Sequence, residues 1–125
     1  MKRNLFKTAE LSYIALGADY KMFTLGLRQF WRLLTTMFLH GSLNHLFMNM
    51  ISLMTLGTLF ETKYGHWKML FTVLFCALIG SLTNGILTGN GLTVGISGGL
   101  YGLLAIYTID ILHRNLHDNS LYRQR

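Results

Sequence analysis

Two small groups of polar residues sit in stretches that otherwise hold no formal charge. The first is Ser42, His45, Asn49 and Ser52, whose spacings of three, four and three residues place them on one face of a helix. Polar side chains of this kind serve as hydrogen-bonding glue between membrane helices. His45 and Asn49 admit a second use, since two strong donors one turn apart also make an anion-stabilising pair. The second group lies in Gly95-Ile96-Ser97-Gly98-Gly99-Leu100-Tyr101-Gly102. Gly95/Gly99 and Gly98/Gly102 are overlapping G-x-x-x-G pairs that let a neighbouring helix come close. Packing explains these glycines but not Ser97, which is expected at a helix N-terminus. There, free backbone N–H groups and the helix dipole favour a developing negative charge. The same string satisfies the G-x-S-x-G pattern of soluble hydrolases, but that pattern needs a strand before the turn. No strand is expected here, so the match is read as accidental.

The remaining reactive residue types point to ordinary roles. Cys76 lies in the middle of an apolar run and reads as a core residue. A single cysteine excludes an intramolecular disulfide framework. His40 and His45 are five residues apart, a poor spacing for two metal ligands on one helix face, so neither metal nor cofactor is expected. His113 and His117 fall in a polar tail with Asp118 and read as solvated.

The elements that must position these residues follow from where charge is absent. Leu33 to Phe60 is a run of 28 residues without Asp, Glu, Lys or Arg, and Met69 to Ile109 is a run of 41. A helix needs about 20 apolar residues to cross a bilayer. Gly41-Ser42 interrupts the first run and Thr-Gly-Asn-Gly at 88–91 breaks the second. Three membrane helices are therefore expected, over 43–60, 67–87 and 96–112. Residues 1–42 form an N-terminal segment that holds Glu10, Asp19, Lys21 and Arg28 and is not itself a span. Within it, Phe23–Leu39 has the composition of a stretch lying in the membrane interface, with arginines snorkelling and Trp31 at headgroup depth. Arg32 and Glu61 each lie beside an apolar stretch, where an unpaired charge is costly. At least one is expected to be buried and hydrogen-bonded within residues 20–65.

Composition agrees with this reading. In 125 residues, apolar types make up 51% and charged types 13%, which excludes disorder, coiled coil and charged tails. The net charge of +6 lies at the ends of the apolar runs, six basic residues before the first, two between and three after the last. It is expected to set topology rather than to bind nucleic acid. The positive-inside rule puts the loop after the first span and the C-terminal tail in the cytoplasm, and the 88–95 turn outside. The N-terminal segment then also falls outside despite its six basic residues, a conflict that another preceding span would relieve.

In order along the chain, Trp31-Arg32, Thr35, Phe38-Leu39-His40, His45, Asn49, Gly57, Glu61, Gly65 and Gly95-Ile96-Ser97-Gly98 resemble the rhomboid intramembrane serine proteases. The resemblance runs from about Gly17 to Tyr107. It implies an all-α membrane protein, a partial rhomboid-like helical bundle in which the three spans are the second, third and fourth of six family helices. It implies Ser97 as nucleophile. His45, Asn49, the Ser97 backbone N–H and Gly95 would form the oxyanion hole. Gly98 and Tyr101 would support the serine, Tyr101 as the aromatic on which a catalytic histidine rests, and Trp31-Arg32 would mark the long loop before the second family helix. The implied partners are transmembrane protein substrates and the lipid bilayer, with the site toward the extracytoplasmic side.

One departure stands out. The family's base is a histidine on its sixth helix in a G-x-x-x-H-x-x-G setting. Of the five histidines here, only His45 has a glycine four residues before it, and Met48 stands where the second glycine belongs. The expectation is therefore a fragment, or a split or degenerate copy, inactive by itself. Two other readings stay open: an inactive rhomboid-like protein that binds membrane clients, and a small membrane subunit whose glycines act only as helix contacts. Spans one and three are expected to pack side by side, with Ser97 facing the His45/Asn49 face.

Overall fold

The computed structural model describes the backbone of residues 2–87 and 91–123, with side chains from 9 to 87 and from 91 to 117. The expected turn at 88–91 lies outside the described residues except for Gly91. The chain runs α1 (Lys2–Ala15), β1 (Asp19–Tyr20), a π-helical turn (Met22–Gly26), α2 (Arg32–Thr35), a 3-10 turn (Thr36–Phe38), α3 (Leu43–Tyr64), α4 (His66–Leu87), β2 (Leu92–Thr93) and α5 (Ser97–Arg123). It is an all-α bundle with one short antiparallel ladder, in which Asp19 faces Thr93 and Tyr20 faces Leu92.

Ser42 starts α3. Its backbone is extended (φ −161°, ψ 162°) and its Oγ accepts the His45 N–H at 3.1 Å, so it caps the helix and is not interhelical glue. The six-residue loop expected between 43–60 and 67–87 is absent. α3 continues through Glu61, Thr62, Lys63 and Tyr64, and Gly65 alone joins it to α4. Gly65 has φ +92°, a backbone region that only glycine enters readily, and its N–H donates to the Glu61 carbonyl at 2.8 Å. One glycine can therefore turn the chain without a loop. α5 likewise passes the expected end at 112, because no glycine or proline follows Gly102 to stop it.

α3 and α4 are each long and apolar enough to cross a membrane by length and composition, and α5 is not counted with them. Asp110, His113 and Arg114, together with the serine, glycines and tyrosines of its first half, lower the apolarity of α5. α1 has 14 residues, about 21 Å at 1.5 Å per residue, short of a bilayer's hydrocarbon.

The bundle closes around Phe60, Val73 and Leu103, with Leu53, Leu56, Met69, Ile96 and Tyr107 packed on them. The glycines of α5 face α4 rather than α3. A Cβ on Gly99 would overlap the Val73 carbonyl, and one on Gly102 would overlap the Cys76 side chain. At Gly98 it would stand 3.5 Å from the Cys76 carbonyl and 3.6 Å from Gly80 Cα. Gly98, Gly99 and Gly102 thus seat α5 on α4, its most extensive partner, while Gly95 of the first G-x-x-x-G pair meets α3 instead.

Candidate active site

The segment that leads into α5 is held from the N-terminal part of the chain. Thr36, fully buried, donates through Oγ1 to the Thr93 carbonyl, and its own carbonyl accepts the Gly95 N–H at 2.9 Å. Asn84 at the end of α4 donates through Nδ2 to Thr93 Oγ1. The β1–β2 ladder holds the same residue from the other side. Anchored so, Gly95 takes φ +103° and turns the chain into the first residue of α5, Ser97. The expectation that no strand precedes Ser97 is corrected here. A strand of two residues does, formed because Asp19-Tyr20 pairs with Thr93-Leu92 from 74 and 72 positions upstream, in an arrangement unlike the central strand of a soluble hydrolase.

Gly95 is where α3 meets this turn. A Cβ there would stand 3.0 Å from His45 Cε1, 3.3 Å from His45 Nε2 and 3.4 Å from Asn49 Nδ2. Asn49 is 7% exposed, and its Nδ2 has no hydrogen-bond partner among the described residues. A buried amide left in this state is costly unless a ligand or water takes it. Ser97, Asn49, Ser52 and Tyr101 line one cavity of about 190 Å³ with Leu56, Leu100 and Leu104. His45 lies over Gly95 and edge-on to His40, with ring centroids 5.3 Å apart. Gly98 faces away from the cavity, toward α4. Tyr101 sits one turn beyond Ser97 at the open rim, 72% exposed. An anion formed beside Ser97 would meet the Asn49 amide and the positive end of α5, where the Gly99 and Leu100 N–H groups already donate to the Ile96 carbonyl.

Trp31 and Arg32 stand apart from this cavity and organise the N-terminal segment. Arg32 is 7% exposed; its Nε donates to Gln29 Oε1 at 2.7 Å, and one terminal nitrogen donates to the carbonyls of Ile14 at 2.7 Å and Ala18 at 3.1 Å. Those two carbonyls lie upstream of the 20–65 window in which its partners were expected. The Trp31 ring, half exposed, stacks 4.7 Å from the guanidinium, whereas Glu61 is exposed. Beside them Asp19 is 2% exposed, accepting from Thr24 Oγ1 at 2.6 Å with its other oxygen unpartnered among the described residues. Burial holds its carboxyl above the usual 3.8, against the smaller opposing pull of Thr24 and Arg32. Thr36 and Asp19 were not singled out from the sequence. The one available signal was that Asp19 is the sole acid between residues 11 and 60. Among the described residues, no three His, Cys, Asp or Glu side chains converge on a metal position.

The chain is similar to known proteins over most of its length. The family profile described as "Rhomboid domain" matches residues 27–124. RHOMBOID-like protein 1 of Arabidopsis thaliana is 30% identical over 113 residues, covering 90% of this chain and 29% of that protein. RHOMBOID-like protein 2 of the same plant is 37% identical over 75 residues, covering 60% of this chain and 24% of the relative. Rhomboid-type serine protease 2 of Emericella nidulans is 33% identical over 86 residues, covering 68% of this chain and 17% of the relative. The chain thus spans under a third of the length of these relatives. No solved structure matches it. With most of its length inside that profile, two apolar helices and a bundle built around them, the chain belongs to the rhomboid family of integral membrane proteins.

Proposed function

We propose that the chain carries the nucleophile and oxyanion side of an intramembrane serine endopeptidase that cleaves transmembrane segments of other membrane proteins. Ser97 is the nucleophile, and Asn49, His45 and the backbone N–H of Ser97 stabilise the tetrahedral oxyanion, with Gly95 leaving room for it. The observation that carries this reading is the buried Asn49 amide, without a partner among the described residues, in one cavity with a serine at a helix N-terminus. Preorganised donors of this kind are worth about 10²–10³ in kcat apiece. Rhomboid-type serine protease 2 of Emericella nidulans, which this chain resembles, supports the same chemistry. α5 is taken as a third span, and the 63–68 region with its two lysines as cytoplasmic, so that Ser97 lies toward the extracytoplasmic side.

A serine hydroxyl needs a base. His113 lies sixteen residues along α5, about 24 Å from Ser97, and His117 is farther still. His66 begins α4, at the end of that helix away from the segment leading to Ser97. His45 is engaged at Gly95. The base comes instead from a histidine in the G-x-x-x-H-x-x-G setting of the family's sixth helix. A second reading is an inactive rhomboid-like protein that binds membrane clients, in which the same Ser97 and Asn49 cavity is never completed by a base.

The test is a cleavage assay on one model transmembrane substrate. It compares the 125-residue chain, the same chain joined to segments ending in a histidine-bearing helix, and Ser97→Ala in each. The expected result is serine-dependent cleavage by the extended chain only, reduced about 10²–10³-fold by Asn49→Ala. Substrate binding by both forms without cleavage would establish the second reading. Serine-dependent cleavage by the 125-residue chain would make His40 or His45 the base.

A further inference from the structure

Ser97 and Gly95 owe their placement to a residue outside the nucleophile and oxyanion set. We infer that Thr36 is a positioning residue that fixes the turn 93–96 and, through it, the N–H groups that the start of α5 presents beside Asn49. This rests on the oxyanion reading above and extends it to the N-terminal segment.

The geometry is specific to Thr36. It is fully buried and grips the turn twice, by its hydroxyl at the Thr93 carbonyl and by its carbonyl at the Gly95 N–H. These grips fall two residues apart on a strand too short to hold itself, since β2 has only Leu92 and Thr93. Between and after them the backbone must enter φ +103° at Gly95, a state that a glycine leaves freely when nothing restrains it. Gly95 in turn touches His45 and Asn49. Release of the Thr93 carbonyl would let the turn relax, and the donors around Ser97 would lose their common aim. A displacement of about 1 Å is enough to cost a catalytic site about 10²-fold.

A thiol placed at the serine position reads this aim without requiring any base or turnover. Helix N-termini and nearby donors lower a cysteine pKa below its free value of about 8.5. In the 125-residue chain carrying Cys76→Ala and Ser97→Cys, the pH dependence of iodoacetamide alkylation gives the thiol pKa. Asn49→Ala is then expected to raise it. Thr36→Val, which keeps the volume and removes only the hydroxyl, is expected to raise it by at least about half a unit, roughly threefold in the acid constant. It should also speed hydrogen exchange at the Gly95 amide. Thr36→Ser, which keeps the hydroxyl, is expected to restore both values. If Thr36→Val does not fold, Asn84→Ala loosens Thr93 from its other side and must shift the thiol in the same direction. A thiol pKa moved by Asn49→Ala but by neither Thr36→Val nor Asn84→Ala overturns the positioning role and leaves the oxyanion reading standing. A pKa untouched by Asn49→Ala overturns the oxyanion reading and this inference with it.

Discussion

At the scale of single residues, several of the buried polar groups lie where the backbone turns, while Asn49 and Ser81 are buried within α3 and α4. Arg32 donates to the carbonyls of Ile14 and Ala18, at and just past the end of α1. Thr36 donates to the Thr93 carbonyl and accepts the Gly95 N–H, and Asp19 accepts from Thr24 with its other oxygen unpartnered among the described residues. Asp19 carries a pH prediction. Its carboxyl is held above 3.8 by burial, so over the interval above that value the folded chain keeps a proton that the unfolded chain has released. Stability is then greatest below about pH 4 and falls as the pH rises through the folded value. Asp19→Asn keeps an acceptor for Thr24 and cannot ionise. Thermal unfolding in detergent between pH 4 and 7 should show the midpoint falling in the parent chain and a flatter profile in Asp19→Asn. Parallel profiles would show that Asp19 remains ionised in the fold.

At the scale of elements, glycine does two different jobs that motif reading cannot separate. On α5, Gly98, Gly99 and Gly102 bring the backbone against α4, and at Gly99 the Val73 carbonyl occupies the place of a Cβ. On α3, Gly57 is also buried, yet a Cβ there would find Leu53 Cδ1 at 3.7 Å and Met69 Sδ at 3.9 Å, ordinary contact distances. Gly99→Ala should therefore force the helices apart at a cost of about 1–3 kcal/mol. Gly57→Ala should be neutral or gain up to about 1 kcal/mol from helix propensity. Unfolding of both variants in mixed micelles separates the two cases, and equal losses would contradict this account of the α4–α5 contact.

At the scale of the molecule, the two ends of the bundle are tied differently. The end bearing Ser97 is held by backbone grips from the N-terminal segment. The other end is held by charge. Asp110 on α5 accepts from Tyr64 Oη at 2.6 Å and pairs with Lys63, which also lies over the Tyr64 and Tyr107 rings at 5.4 and 5.1 Å. Arg114 approaches the same carboxylate at 3.3 Å from an exposed position. Asp110→Asn leaves Lys63 without its counter-charge between α3 and α5, whereas Arg114→Ala removes a solvent-screened partner. The unfolding midpoint should fall more for Asp110→Asn than for Arg114→Ala, and the reverse order would move the tie to Arg114.

The membrane class, the three long helices and the shared helix face of His45 and Asn49 were readable from local pattern, whereas the expectation that Ser97 joins them came from the family resemblance. A bilayer demands uninterrupted apolar runs, and helix geometry turns spacings of three and four into a shared face. Element ends were less readable. Whether Glu61 to Tyr64 loops out or stays helical depends on one glycine's backbone angle, and no composition at that position records it. Tertiary structure alone decided which helix the α5 glycines meet and that Arg32 closes on the end of α1. It also decided that Thr36 and Asp19 reach the turn before Ser97 across 57 and 74 positions of chain. Such contacts leave no periodic trace, since a threonine or an aspartate suits many environments until the fold brings one partner to it.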